Sequence, residues 1–284
     1  MKKKLKIKGL SILMAILMVA SIIPMGAISS FAADADYQYS VVSETDKTIK
    51  IEKYVGAGGD ITIPSTIDGY TVISLGFAAF ENCISLTSVI IGSSVTMINS
   101  QAFYGCTGLK AINISEGNTV FSSVDGVLYS KDKTSLLICP NGKSGEFIIP
   151  NTVTSIGDAA FQGCAGLTSL IIGSAVTSIG QMAFYYCTGL KSITIPDSVT
   201  SIYNNPFAGC TALTAINVTE GNKAFSSVDG VLYSKDKKQL LICSGKSDEF
   251  IVPTGVTNIG IGAFSNCYGL TNVTISDSVT NIGH

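Results

Sequence analysis

Few groups in this chain could carry chemistry, and their spacing decides which of them do. Eight cysteines and a single histidine, His284, accompany 20 acidic residues and 18 lysines, with no arginine and no tryptophan. A Ser-His or Cys-His nucleophile needs an imidazole held beside it, and one terminal histidine serves neither arrangement. Asp158, Asp197 and Asp277 recur near turns at different phases, which gives no paired-carboxylate site. Gly56-Ala-Gly-Gly59 lacks the Lys-Ser/Thr and the following helix of a phosphate loop. No C-x-x-C occurs, so zinc has no ligand pattern either. The expectation is a protein without catalytic residues, cofactor or metal.

The cysteines belong instead to a repeat. Cys83, Cys106, Cys164, Cys187, Cys210 and Cys267 each lie three residues after Phe80, Phe103, Phe161, Phe184, Phe207 and Phe264. Those phenylalanines stand in copies of apolar-x-x-apolar-x-x-x-Ala-Phe-x-x-Cys-x-x-Leu, spaced 23, 58, 23, 23 and 57 residues apart. A period in the twenties marks one coil of a stack, which cannot bury its apolar face without neighbours. A thiol in register with a buried ring reads as a small apolar filler, reduced and stacked in an internal ladder. Disulfides between adjacent coils are the alternative, although a ladder gives no unique pairing. Cys139 and Cys243, 104 residues apart, occupy matching places in two longer inserts.

These observations predict a β-rich repeat solenoid of about 23-residue coils with a parallel sheet, short helical turns and two hairpin-bearing inserts. In the coil that starts at Leu167, residues Leu167 to Ile172 alternate as a short strand and Val176 and Ile179 point inward after a bend. Gly180 permits a tight turn, and Ala183-Phe184-x-x-Cys187 has the spacing of one helical turn. Inward residues are expected to form one continuous core. The inserts, about 115–146 and 219–249, are nearly the same, with one residue deleted near Pro140. In each, Val-Leu-Tyr-Ser and Leu-Leu-Ile-Cys flank a polar Lys-Asp-Lys, the pattern of a hairpin, which serves either to seal an irregular coil, the favoured reading, or to project as a third candidate binding element. Residues 33–60 suit an N-terminal cap before a solenoid spanning 61–284. The last coil stops before its closing turn, so the chain reads as truncated mid-repeat, with further domains expected C-terminally.

Residues 1–32 combine five lysines, an apolar run from Leu10 to Ile23 and Ser30-Phe31-Ala32, the three parts of an export signal. An uncleaved anchor is the alternative, but the apolar run is short of the roughly 20 residues that span a bilayer. Cleavage after Ala32 leaves 13 lysines against 20 acids, a net charge of −7. That balance has no basic stripe for phosphates and argues against nucleic acid as a partner.

Ile149-Pro150-x-x-Val153-Thr154-x-Ile156-Gly157-x-x-Ala160-Phe161-x-x-Cys164-x-x-Leu167 resembles the signature of the BspA-like (Treponema pallidum-type) leucine-rich repeats. The D-G-V-L-Y-S-K-D-K stretches at Asp125 and Asp229 are similar to that family too. The resemblance implies a leucine-rich-repeat solenoid on a bacterial surface, in some members an adhesin, and supplies no catalytic residues. The leading expectation is a secreted or surface-bound interaction module for an extracellular protein or glycan. A rigid spacer or envelope component, and an accessory region of a larger secreted enzyme, are the rival readings. Candidate ligand-binding residues are the outward strand positions Ile90, Asn113, Ile171, Thr194, Asn217 and Thr274. The turn tyrosines Tyr104, Tyr185, Tyr186 and Tyr268 form a second set, since tyrosine suits adaptable binding surfaces.

Overall fold

A computed structural model describes residues 36–245, 247–265 and 267–283. The export signal expected over residues 1–32 and His284 lie outside the described residues. The chain winds as a β-solenoid of about ten stacked turns. Each ordinary coil runs through a longer strand, a bend, a two-residue strand and a closing turn. The longer strands pair parallel, as in Leu86–Ile91 against Ala111–Ile114, with Val89 opposite Ile112. The two-residue strands stack separately, carrying Ile156, Ile179 and Ile202 in register. Leu170, Ile171 and Ile172 alternate buried, exposed and buried as read from sequence, but the alternation does not extend to Leu167: it is buried three residues before Leu170, because the register slips by one residue at Thr168.

Aromatic rings form a spine through the closing turns. Tyr37, Tyr54, Phe80 and Phe103 follow one another at centroid spacings of 5.3, 5.3 and 4.9 Å. Phe161, Phe184 and Phe207 repeat the stack at 5.3 and 5.2 Å. These spacings follow from coils placed about 4.8 Å apart by parallel strand pairing. The cysteine three residues later donates to the carbonyl of the phenylalanine one coil back. Cys106 reaches Phe80 at 2.8 Å, and Cys187 and Cys210 reach Phe161 and Phe184 at 3.0 Å. All eight cysteines are free thiols, and only Cys83 and Cys267 are partly exposed. Burial pushes the Cys106 thiol up to about 12, which keeps it protonated.

The closing turn is not helical. Short-range bonds exist, from the Ala160 N–H to the Gly157 carbonyl (3.3 Å) and from Cys164 to Phe161 (3.0 Å). Two features stop them from continuing as a helix. Ala78, Ala159, Met182 and Asn205, two positions before the phenylalanine, sit at φ between 51° and 56°, left-handed values that a right-handed helix excludes. The phenylalanine N–H is also taken by the next coil, as from Phe161 to the Ala183 carbonyl at 2.7 Å. Inter-coil pairing outcompetes the local turn. Gly180 does not turn the chain through a positive φ; a Cβ there would lie 2.6 Å from the Asp158 nitrogen, so it is needed for close coil-to-coil approach.

The inserts do not project as free hairpins. Phe121–Val124, Val127–Ser130 and Ser135–Ile138 make an antiparallel ribbon, and the last strand joins the two-residue ladder beside Ser155–Ile156. The middle strand is buried on both faces and divides the interior. Leu128 and Ile138 belong to the N-terminal core, while Val127, Tyr129, Leu136 and Cys139 belong to the central one. In the second insert Leu232 and Ile242 face the central core, and Val231, Tyr233 and Leu240 face the last. The expected continuous core is therefore three cores separated by two partitions. Asn118 secures the first partition: its Nδ2 donates to the Gly92 and Val95 carbonyls, and its Oδ1 accepts from the Val120 and Phe121 N–H groups. Asn222 makes the equivalent bonds in the second.

Candidate functional site

The outward strand face carries two parallel rows, set by strand register and by the two-residue period of side chains. One row places Ile90 between Thr62 and Asn113, Ile148 beside Ile171, Thr194 beside Asn217, and Ile251 beside Thr274. All six strand residues singled out from the sequence fall in it. Sequence reading missed Ile148 and Ile251, which are more exposed (60% and 63%) than Ile90 (39%) and Ile171 (47%). Ile148 and Ile171 are direct register partners and form an exposed aliphatic pair.

The second row carries acids at matching places: Asp60 beside Ser88, Glu146 beside Ser169, and Glu249 beside Asn272. Thr87 and Ser88 donate to Asp60 Oδ1 at 2.6 and 2.7 Å, which lowers its carboxyl below the usual range. The signal for these residues was present in the sequence. Gly59-Asp60-Ile61-Thr62-Ile63-Pro64, Gly145-Glu146-Phe147-Ile148-Ile149-Pro150 and Asp248-Glu249-Phe250-Ile251-Val252-Pro253 are three copies of one phrase.

The face is interrupted at each insert. Gly126 presents its carbonyl to the Ile112 N–H at 2.8 Å, and Gly230 does the same for Ile216 at 3.0 Å. A Cβ on Gly126 would meet the Ala111 Cβ at 2.7 Å, and its φ of +74° favours glycine independently. The Asp125 and Asp229 turns thus fill the places where the long-strand ladder stops, at Ala111–Ile114 and Ala215–Val218.

The tyrosines occupy another side, the closing turns. Tyr104 and Tyr185 are half-buried, and Tyr186 and Tyr268 are exposed. The Tyr185 and Tyr186 rings meet edge-on at 4.4 Å. Burial raises the Tyr185 hydroxyl, aided by its bond to Tyr186, and Tyr104 and Tyr268 act on it electrostatically as well. The two candidate sets therefore do not form one site. Among the described residues, no group of three or more His, Cys, Asp or Glu is placed to hold a metal ion.

A stacked array with a register-locked Phe and Cys ladder has direct counterparts. The BspA type leucine rich repeat region matches in six copies, over residues 49–142, 139–229 and 238–284. The chain belongs to this family. A leucine rich cell surface protein from Faecalibacterium prausnitzii is 30% identical, with a TM-score of 0.53, covering 90% of this chain and 73% of that one. A leucine-rich repeat protein from Eubacterium ventriosum is also 30% identical, with a TM-score of 0.54, covering 76% of this chain and 54% of that one. The pneumococcal vaccine antigen PcpA shares the fold at 24% identity and a TM-score of 0.51, over 90% of this chain and 67% of its own. Comparison with curated proteins gives no match. Among the described residues no helix is long and apolar enough to cross a membrane.

Proposed function

We propose that this protein is an exported, non-catalytic cell-surface interaction module whose strand face takes an extracellular protein or glycan. The observation that carries the reading is the Ile148–Ile171 pair, aliphatic side chains held in water by strand register beside Glu146 and Ser169. Exposed apolar groups rimmed by polar ones are a usual mark of an interaction surface. Rigid strands hold the rows in place, so little ordering cost falls on binding. The cell-surface description of the Faecalibacterium prausnitzii relative supports the same location.

The test is binding of the purified protein to immobilised matrix proteins and mucin glycans, by surface plasmon resonance. Ile148→Asp combined with Ile171→Asp is expected to weaken a saturable interaction at least tenfold, while Lys131→Ala on an insert turn leaves it unchanged. A double variant that binds as tightly as the parent removes the strand face from the reading. No saturable binding to any of these ligands favours the spacer role.

A further inference from the structure

The exposed isoleucines of the strand face stand between two lines of negative charge. The row beside Ile90, Ile148, Ile171 and Ile251 holds three exposed acids, Asp60, Glu146 and Glu249, among serine, alanine and asparagine. Neither row holds a lysine or an aromatic ring. On the other flank the bends carry Glu116, Asp197, Glu220 and Asp277, all exposed, against Lys223 alone. Lys131 and Lys235 of the insert turns reach those bends, but their ammonium groups donate to the Asn118 and Glu220 carbonyls. Lys110 and Lys191 lie beyond the acidic row, just before Ala111 and Ser192. Among the described residues the ion pairs are Lys47–Glu44 and Lys50–Glu52, so the acids of the face are not paired with lysine.

Register also sets the spacing of those acids. Three coil steps separate the strand of Asp60 from that of Glu146, and four separate Glu146 from Glu249. At about 4.8 Å per coil these are about 14 and 19 Å. An extended chain laid along the stack advances about 3.4 Å per residue, so side chains about 4 and then about 6 residues apart reach all three. Both separations are even, which keeps those side chains on one face of the extended chain.

We propose that the partner of this strand face is an extended, basic segment of an extracellular protein, whose lysine or arginine heads meet Asp60, Glu146 and Glu249 while their methylene stems cover the isoleucines. The inference rests on the strand-face reading above and narrows its ligand class. Long cationic side chains present both parts at once, an apolar stem and a charged head. Beyond residue 32 the chain carries 13 lysines against 20 acids, a net charge of −7, which draws a basic partner in and repels a sulfated or sialylated glycan. A neutral glycan finds no ring on either row to stack against.

The probe is a labelled peptide of about 12 residues, threonine and valine with lysines about 4 and then about 6 residues apart, titrated by fluorescence anisotropy with the purified protein. Saturable binding that weakens with added salt is expected. Glu146→Gln combined with Glu249→Gln should lower the affinity about three- to tenfold, the worth of two exposed charge pairs. Glu81→Gln, at an exposed acid on a closing turn, should leave it unchanged. A peptide of the same composition with its lysines adjacent should bind more weakly than the spaced one. Circular dichroism melts check that each variant folds. The proposal is overturned if the spaced peptide does not bind, if the double variant binds it as the parent does, or if Glu81→Gln costs as much. If Ile148→Asp with Ile171→Asp then still weakens binding to a matrix protein or mucin glycan, the strand face keeps its role and only the basic partner is rejected.

Discussion

Ordinary coils and insert coils follow the same path but fill it differently. In an ordinary coil the closing turn supplies a phenylalanine, as at Phe161, whose N–H donates to Ala183 of the next coil. In the insert coils Cys139 and Cys243 hold that place: their N–H groups donate to the Ala160 and Ala263 carbonyls, both at 2.6 Å. The Cys164 thiol points to the Cys139 carbonyl, as Cys187 points to Phe161. The missing ring is returned by the strand. Phe147 and Phe250 enter where ordinary strands carry Leu170 or Val273, and meet Phe161 and Phe264 edge-on at 5.4 and 5.9 Å. Each layer conserves volume while exchanging which segment provides it, the kind of swap a close-packed interior tolerates.

The comparison breaks most clearly at the spine. Phe161→Ala should cost about 3–5 kcal/mol, whereas Cys139→Ala, at the same place in its coil, should cost only about 1 kcal/mol because so few atoms are lost. Urea denaturation of the two variants measures the gap; equal costs would mean that the cysteine coil is packed as the phenylalanine coils are. Asn118→Ala removes a side chain that serves four backbone groups, and on the order of 3 kcal/mol should follow from those left unpaired. The same measurement on Asn222→Ala tells whether both partitions matter alike. Cys139→Phe should cost about 1–3 kcal/mol through overpacking, and Phe147→Leu in the same chain should recover part of it. A double-mutant cycle with no coupling would reject the exchange of volume between turn and strand.

The smallest expected effect lies in the exposed insert turns. Bonds from Ser130 and Thr134 hold the Asp132 carboxyl below its usual value of 3.8, and Ser234 and Lys238 do the same for Asp236. A depressed folded value contributes stability above the unfolded value, and that contribution fades as pH falls through the folded one. The melting-temperature gap between the parent and Asp132→Asn should therefore be constant at neutral pH and close below about pH 4. A gap that persists at pH 2 would assign the effect to something other than the carboxylate.

Much of this was legible in the chain. Phe80 to Phe264, each three residues before a cysteine, sufficed for a stack with an aromatic interior, because burial of one face repeats with the coil. The strand face followed from two-residue alternation, although Ile148 and Ile251 escaped notice. Their strands begin inside the inserts, where the 23-residue ruler has lost its phase. The closing turn was misread as helical because 3–4 spacing describes both a helix and any compact turn. Its backbone is decided by donors on the neighbouring coil, which no local pattern reports. The hairpin signal in the inserts was sound, yet it did not say whether the ribbon projects or partitions. Val127, Leu128 and Tyr129 form an unbroken apolar run, and that was the available clue to a strand buried on both sides.

Sequence alone settled the periodicity, the inward identity of the Phe and Cys ladder and the kinship with leucine-rich repeats, since all three are properties of residue order. Tertiary structure decided the rest: the split into three cores, the transfer of bulk from turn to strand and the non-helical path of the closing turn. Those depend on which coil lies against which. Backbone donors and close-packed volume are shared between coils, so their allocation is written in contacts across the stack rather than along the chain.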